Sequence, residues 1–140
     1  MSEERETRIF MISPDSMITP DQLVREVHAM GKGVTAKETC YGTLAEGPRA
    51  LVREVLAGLR EKYPYDIYSK VRAYPTGDPR RCRAQHGTRP GFAQLEAEWE
   101  TLPRIGHGLR CCDNGEGFEI PEEKERFPAE EFKKICEAIR

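Results

Sequence analysis

Apolar and polar positions change in blocks along the start of the chain, and each block predicts one element. The apolar run within Thr7–Ser13 is typical of a strand that is buried on both faces. A helix is predicted to start after Thr19, because threonine can cap it and Pro20 at the first helical position loses no hydrogen bond. Gln22 stands where a capping box needs it. We expect this helix to end at Gly31 in a left-handed conformation.

The pattern continues with two strands, a helix and a further strand. Threonines and β-branched residues in 33–46 predict two short strands with a tight turn near Gly42, and one long kinked strand is the alternative. Pro48 is expected to open a second helix, which Pro64 ends. Alternating apolar and polar residues over 66–74 predict a last strand.

The predicted order β-α-β-β-α-β within residues 1–75 indicates an α+β fold, a sandwich of the ferredoxin-like type. In this fold one antiparallel sheet carries both helices on one face, and the crossovers are right-handed. The fold alone assigns no chemistry. Residues 76–140 are interpreted as a loop that contains arginine and cysteine, plus a helical extension packed on the core in a single compact unit.

The extension begins as a loop and continues as helices. Residues 75–91 hold three prolines and three glycines with almost no apolar side chains, which predicts a loop. Apolar residues from Phe92 keep helical spacing until Pro103, where we expect the helix to end before a separate short one. A turn is predicted at 113–115. Pro128–Ile139 predicts an amphipathic helix, packed against the sheet or against a partner.

Composition narrows the class of protein. The chain has 140 residues, 38% of them apolar and 33% charged, and a mean hydropathy of −0.67, so we expect one soluble domain. The net charge of −2 excludes a globally basic nucleic-acid binder. No apolar run approaches the ~20 residues that cross a bilayer, and the first residues do not resemble a targeting signal. These features predict a cytoplasmic protein.

Five irregularly spaced cysteines favour a reducing compartment over a disulfide framework. Cys40 and Cys136 stand among apolar residues and are predicted to be buried, inert thiols. The other three cysteines and one histidine are residue types that zinc and iron–sulfur sites use. These candidate metal ligands are Cys82, His86, Cys111 and Cys112. Because no Cys-x-x-Cys is present and adjacent cysteines seldom ligate one metal, we predict no bound cofactor.

The loop concentrates positive charge in a chain that is slightly acidic overall. Four arginines within 80–89 and one upstream face a single acidic residue, Asp78. Guanidinium groups bind carboxylates and phosphates in a bidentate manner, which predicts docking to an anion or an acidic partner. The predicted docking residues are Arg72, Arg80, Arg81, Arg83, His86 and Arg89. The alternative is an exposed basic loop with salt bridges to Glu96, Glu98 and Glu100.

Three other features are given structural interpretations. The Ser13–Ser16 segment is interpreted as turn and cap chemistry, since no histidine stands at a catalytic spacing from it. Trp99 shares helical register with Leu95 and is predicted to lie in the core, with an interface anchor as the alternative. His107, between two glycines, is predicted to be a flexible surface position.

Three stretches resemble a known family. They are Ile12–Pro20, Lys37–Gly42, and the loop from Gly77 through His86 to Phe92. Together they are similar to methanogenesis marker protein 6. This resemblance implies the cytoplasm of a methanogenic archaeon and a role beside methyl-coenzyme M reductase, but it carries over no catalytic residues.

The sequence therefore leads to the hypothesis of a non-catalytic accessory protein. It would dock onto a protein complex of methanogenesis, either methyl-coenzyme M reductase or the factors that mature or activate it. No membrane is expected, and nucleic acid is not expected because stacking aromatics are lacking near the basic loop. Two alternatives stay open. One is a metal or iron–sulfur carrier, and the other is a small enzyme that attacks an anionic substrate through Cys82 with His86 as its base.

Overall fold

The architecture is α+β. The computed structural model describes residues 4–31, 33–72, 75–77, 92–117, 119–120, 122 and 126–139. Four strands and four helices follow one another along the chain: β1 Arg5–Ile12, α1 Pro20–Met30, β2 Thr35–Thr39, β3 Gly42–Pro48, α2 Arg49–Lys62, β4 Ile67–Val71, α3 Phe92–Asp113 and α4 Ala129–Ala138.

The four strands form one antiparallel sheet in the order β2-β3-β1-β4. β1 lies in the middle, where Ile9 pairs with Leu44 of β3 on one side and with Lys70 of β4 on the other. Strands that are neighbours in the sequence, β1 and β2, are separated in the sheet by β3. This is the ferredoxin-like arrangement, so the predicted fold class is confirmed.

Side chains of β1 alternate between two hydrophobic clusters, as the period of two in a strand requires. Phe10 and Ile12 face α1 and α2, and with them form the larger cluster. Ile9 and Met11 face the opposite side, where they meet residues of β3 and α3. The sheet therefore lies between two helical layers, α1 with α2 on one face and α3 on the other.

The start of α1 matches the prediction, whereas its end does not. The Thr19 side chain accepts a hydrogen bond from the backbone of Gln22, whose side chain accepts one from the Thr19 backbone, which completes a capping box. Gly31, however, has a φ of −121° and is extended, so the predicted left-handed ending is wrong. Close packing requires glycine there, because a Cβ would lie 2.6 Å from Val55 Cγ2.

The predicted hairpin between β2 and β3 is confirmed. The turn lies at Cys40 and Tyr41, and Gly42 begins the second strand with a φ of +150°. A Cβ at Gly42 would lie 2.0 Å from the carbonyl oxygen of Phe10, so both the backbone angle and the close approach of β1 demand glycine. α2 follows directly after Pro48 and ends before Tyr63, as predicted.

α3 continues through Pro103, so the prediction of two separate helices is wrong. Packing on both sides of the proline holds the helix together despite its missing N–H. Leu102 is buried in the second cluster, and Gly106 is buried against the carbonyl of Tyr65. The first half of α3 thus packs on the sheet and the second half on the segment that leads into β4, and these tertiary contacts override the helix-breaking effect of Pro103.

The end of α3 is a Schellman motif at the predicted turn. Gly115 has a φ of +71° and donates its N–H to Cys112 O at 3.1 Å, while Glu116 donates to Cys111 O at 2.9 Å. The side chain of Asp113 accepts a hydrogen bond from the Tyr65 hydroxyl. The helix end is therefore fixed to the segment that leads into β4.

α4 differs from the other helices, because none of its residues is buried. In the described part of the chain, no helix has the length and apolar character that crossing a bilayer requires.

The glycines of α3 provide a test of its packing. Replacing glycine by alanine inside a helix stabilises it by about 0.5–1 kcal/mol when space is free. Gly108→Ala should show this gain, since no atom of the described residues lies within 4 Å of the added Cβ. Gly106→Ala should lower the free energy of unfolding by roughly 1–2 kcal/mol, because its Cβ would lie 2.9 Å from Tyr65 O. Urea denaturation measures both changes, and a gain at both positions would contradict this packing.

Candidate functional site

The predicted docking residues divide into one that the structure describes and five that it does not. Arg72 directly follows β4, and its backbone N–H donates to Thr7 O at 2.8 Å. Arg80, Arg81, Arg83, His86 and Arg89 lie outside the described residues. Docking through these arginines therefore stays a prediction.

The chain that leads into the arginine loop is fixed at one end of the sheet. Glu46, near the end of β3, accepts hydrogen bonds from the backbone N–H and the hydroxyl of Thr76, at 2.8 and 3.0 Å. Arg5 lies 3.5 Å from the same carboxylate. The Thr76 backbone N–H, more than any other group, holds the pKa of Glu46 below its usual value.

α3 receives the chain after the loop and lies on the sheet face opposite α2. Leu95 belongs to the same hydrophobic cluster as Ile9 of β1. One turn later, Trp99 Nε1 donates to the carbonyl of Ile12, the last residue of β1, at 2.8 Å. Gly106 reaches Tyr65, which precedes β4. α3 thus runs toward the end of the sheet where β1 ends and β4 begins.

The alternative prediction was that the arginine loop forms salt bridges to Glu96, Glu98 and Glu100. The structure shows a partner for one of these glutamates. Glu98 accepts hydrogen bonds from Lys70 Nζ at 2.8 and 2.9 Å and from Gln94 at 2.9 Å. The hydrogen bond from Lys70 is the main reason that the pKa of Glu98 is lowered. Glu96 and Glu100 are exposed. Glu98 is therefore already engaged by a residue outside the arginine loop.

Cys111 and Cys112 have different environments in the last turn of α3. Cys111 is 7% exposed and its sulfur lies 3.6 Å from His107 Nε2, whereas Cys112 is exposed. Burial is the main cause that raises the pKa of the Cys111 thiol, and Glu116 adds to it. A thiol in this state is a poor nucleophile.

Cys82 and His86, the other two candidate ligands, lie outside the described residues, so the four-residue metal site stays untested. Within the described ranges, no group of three or more His, Cys, Asp or Glu side chains is placed to hold a metal ion. The contact between His107 and Cys111 was missed by sequence analysis, although the spacing of four residues in a helix was a signal for it.

The prediction of buried thiols at Cys40 and Cys136 is wrong, since both are exposed. Cys40 lies in the turn of the hairpin, next to Tyr41, which packs against the second hydrophobic cluster. Cys136 lies on α4, where none of the residues is buried.

Two of the stretches that carry the resemblance meet in one small cleft. It has a volume of about 160 Å³ and lies at the end of the sheet opposite Glu46, between the Ser13 turn, Cys40, Tyr41 and Trp99. The Trp99 and Tyr41 rings are 4.9 Å apart. Trp99 is half-buried against the second hydrophobic cluster, which agrees with its predicted place in the core. The Ser13 hydroxyl donates to the Asp15 carboxylate, so this segment is a turn, as interpreted.

An apolar strip on α4 is exposed. We call it the α4 strip and define it as Phe132, Ile135, Cys136 and Ile139. Its large apolar side chains are 47–79% exposed, and Phe127 just before the helix is 58% exposed. These positions share one side of the helix. The amphipathic pattern was predicted, and the structure shows that the apolar side meets solvent.

Comparison with known proteins assigns this chain to a family. The profile of DUF2102, described as an uncharacterized protein conserved in archaea, matches residues 9–110. The chain belongs to this family. The DUF2102 match runs from β1 into the last turns of α3 and includes the arginine loop, but ends before α4. A relative, uncharacterized protein MJ0498 of Methanocaldococcus jannaschii, is 35% identical over 148 residues, which cover 96% of this chain and 94% of the relative. No solved structure matches the chain.

The two adjacent cysteines of this DUF2102 protein allow a test of the local environment. Iodoacetamide at mildly alkaline pH should modify Cys112 well before Cys111, because burial shields the Cys111 thiol and its raised pKa keeps it protonated. Peptide mass spectrometry over time measures both rates. In guanidinium chloride the two rates should converge, and equal rates in the folded chain would contradict the assignment.

Proposed function

We propose that this DUF2102 protein is a methanogenesis marker protein 6 and acts as a non-catalytic accessory protein. In the cytoplasm of a methanogen it would dock onto the protein complex that matures or activates methyl-coenzyme M reductase. The resemblance of Ile12–Pro20, Lys37–Gly42 and the loop to that family supports the identity. The observation that supports docking is the exposed α4 strip.

α4 depends on contacts that the described chain does not supply. Helices shorter than about 12–15 residues are marginal in water unless packing supports them. α4 has 10 residues and none is buried. An apolar strip with helical spacing suits insertion into a hydrophobic groove of another protein. We infer that α4 becomes fully stable when the α4 strip is covered by the partner.

The arginine loop supplies the second half of the proposed contact. Arginine and aromatic side chains are common among the few residues that dominate binding free energy at protein interfaces. The loop has four arginines and the α4 strip has Phe132, which together resemble the mixture of charged and apolar anchors found in such interfaces. An acidic partner surface beside an apolar groove is the expected complement.

A double variant tests the loop. Arg80→Ala with Arg81→Ala should lose the partner while the chain stays folded, since each desolvated arginine contributes about 2 kcal/mol or more to binding. An anaerobic pull-down from a methanogen extract, with reductase subunits quantified by mass spectrometry, measures the loss. Unchanged retention of the reductase complex would contradict docking through the loop.

A second double variant tests the α4 strip. Phe132→Ser with Ile135→Ser should reduce capture of the same complex at least tenfold, as expected for two apolar anchors. The melting temperature should not fall, because both side chains are largely exposed in the free chain. Lys133→Ser with Lys134→Ser is the matched control outside the strip. Hydrogen exchange should show residues 129–138 unprotected in the free chain and protected in the complex; protection in the free chain would count against this account.

A further inference from the structure

We propose that the small cleft at the end of β1 binds a trimethylammonium group. We call it the aromatic cleft and define it by Ser13, Ser16, Tyr41 and Trp99, which line it, with Asp15 at its rim. This inference goes beyond the proposed function and does not depend on it, because the ligand is one small cationic group rather than the surface of a protein complex.

The volume of the aromatic cleft limits what can enter it. It is about 160 Å³, close to the roughly 150 Å³ of an engineered cavity that holds one benzene molecule. A ligand group of about six non-hydrogen atoms therefore fits, whereas a nucleotide is too large. A trimethylammonium group, with the carbon that carries it, is of the size that fits.

Two aromatic rings form one side of the cleft. Trp99 Nε1 donates to the carbonyl of Ile12 at 2.8 Å, so its N–H is directed at the backbone of β1 rather than at a ligand. The centre of the Tyr41 ring lies 4.9 Å from that of Trp99, and the two planes are tilted by 46°. Faces of aromatic rings attract cations, and more strongly when they are partly removed from water. Both side chains are half-buried, so this side of the cleft suits a cation.

The Ser13 turn, on the other side, offers an anion few hydrogen-bond donors. The Ser13 hydroxyl donates to the Asp15 carboxylate, and the Ser16 N–H donates to the carbonyl of Ser13. Pro14 and Pro20, which also line the cleft, have no backbone N–H. Because phosphate and carboxylate ligands need such donors, these groups disfavour an anion.

Asp15 supplies a negative charge at the rim. Its carboxylate accepts the Ser13 hydroxyl at 2.5 Å, which holds it beside the cleft, and the residue is exposed. Among the described residues, no basic side chain forms an ion pair with Asp15. The carboxylate is therefore available to a cation from outside the chain.

The acceptors of the cleft favour a methylated ammonium over one that carries N–H groups. The Ser16 side-chain oxygen already accepts the N–H of Ile18 at 3.2 Å. The Ile12 carbonyl is taken by Trp99. An N–H that loses water without finding an acceptor is costly, whereas methyl groups need none and can pack against the isoleucines that line the cleft.

Trp99 is the only tryptophan of the chain, so its fluorescence reports binding in the cleft. Titration with tetramethylammonium chloride should change the emission until it saturates, with a dissociation constant in the millimolar range expected for so small a ligand. Sodium chloride at the same concentrations is the control for ionic strength. Neopentyl alcohol, which has a quaternary carbon in place of the charged nitrogen, should bind about fivefold more weakly or less, because it lacks the attraction to the rings and to Asp15.

Variants assign the binding to the aromatic cleft. Asp15→Asn keeps an acceptor for Ser13 and should weaken tetramethylammonium binding about threefold, as the loss of one exposed charge pair does. Tyr41→Leu should weaken it about fivefold, whereas Tyr41→Phe keeps the ring and should bind like wild type. Glu54→Gln, which removes an exposed carboxylate from α2, is the matched control. Melting temperatures verify that each variant is folded.

The outcomes distinguish a cation site from a merely apolar cleft. Equal affinity for neopentyl alcohol and tetramethylammonium would overturn the proposal, as would a fluorescence change that sodium chloride reproduces. Unchanged affinity in both Asp15→Asn and Tyr41→Leu would also overturn it. None of these measurements involves the reductase complex, so their failure leaves the proposed function untouched.

Two further ligands identify the source of the trimethylammonium group. They are choline and a peptide that carries one trimethyllysine, titrated in the same way. Tighter binding of choline would assign a free small molecule to the cleft, and tighter binding of the peptide would assign a modified protein side chain. Binding of either ligand should weaken in Tyr41→Leu, and binding that this variant does not change would place the ligand outside the cleft and overturn the proposal.

Discussion

The burial of β1 on both faces is the constraint on which the rest of the structure depends. Phe10 is fully buried and Ile9 is 2% exposed, although they point to opposite sides of the sheet. Each such side chain gains about 1.5–3 kcal/mol from leaving water, so both faces of the strand must be covered. α1 and α2 cover one face and α3 covers the other. A ferredoxin-like sheet with helices on one face only would leave Ile9 and Met11 exposed to solvent. In this protein α3 covers both side chains.

This constraint explains which elements the sequence revealed. Signals that act within a few residues, such as the Thr19 capping box, the glycine in the hairpin and Pro48 before α2, predicted their elements correctly. Predictions failed where contacts between residues far apart in the sequence determine the local structure. Pro103 is an ordinary helix breaker, but α3 stays helical there because Leu102 packs on the sheet and Gly106 packs against Tyr65. Gly31 looks like a left-handed helix end, but it is glycine because Val55 of another helix leaves no room for a Cβ.

The features of the candidate functional surfaces also divide into those that local sequence reveals and those that only folding creates. The density of arginine in 78–91 and the amphipathic pattern of α4 are local properties, so the sequence revealed both. The aromatic cleft was not predicted, because Trp99 stands far along the chain from Ser13 and Tyr41 and is brought to them only by folding. Exposure of Cys40 and Cys136 also depends on what packs nearby, which a list of apolar neighbours does not show.

The hold of Glu46 on Thr76 has a consequence for the chain that follows it. Two hydrogen bonds fix residue 76 to β3, so the arginine loop starts from a defined point of the fold. Both hydrogen bonds are strongest with the ionised carboxylate, and the lowered pKa of Glu46 keeps that form at mildly acidic pH. The entry to the loop therefore stays anchored until acid protonates this one side chain.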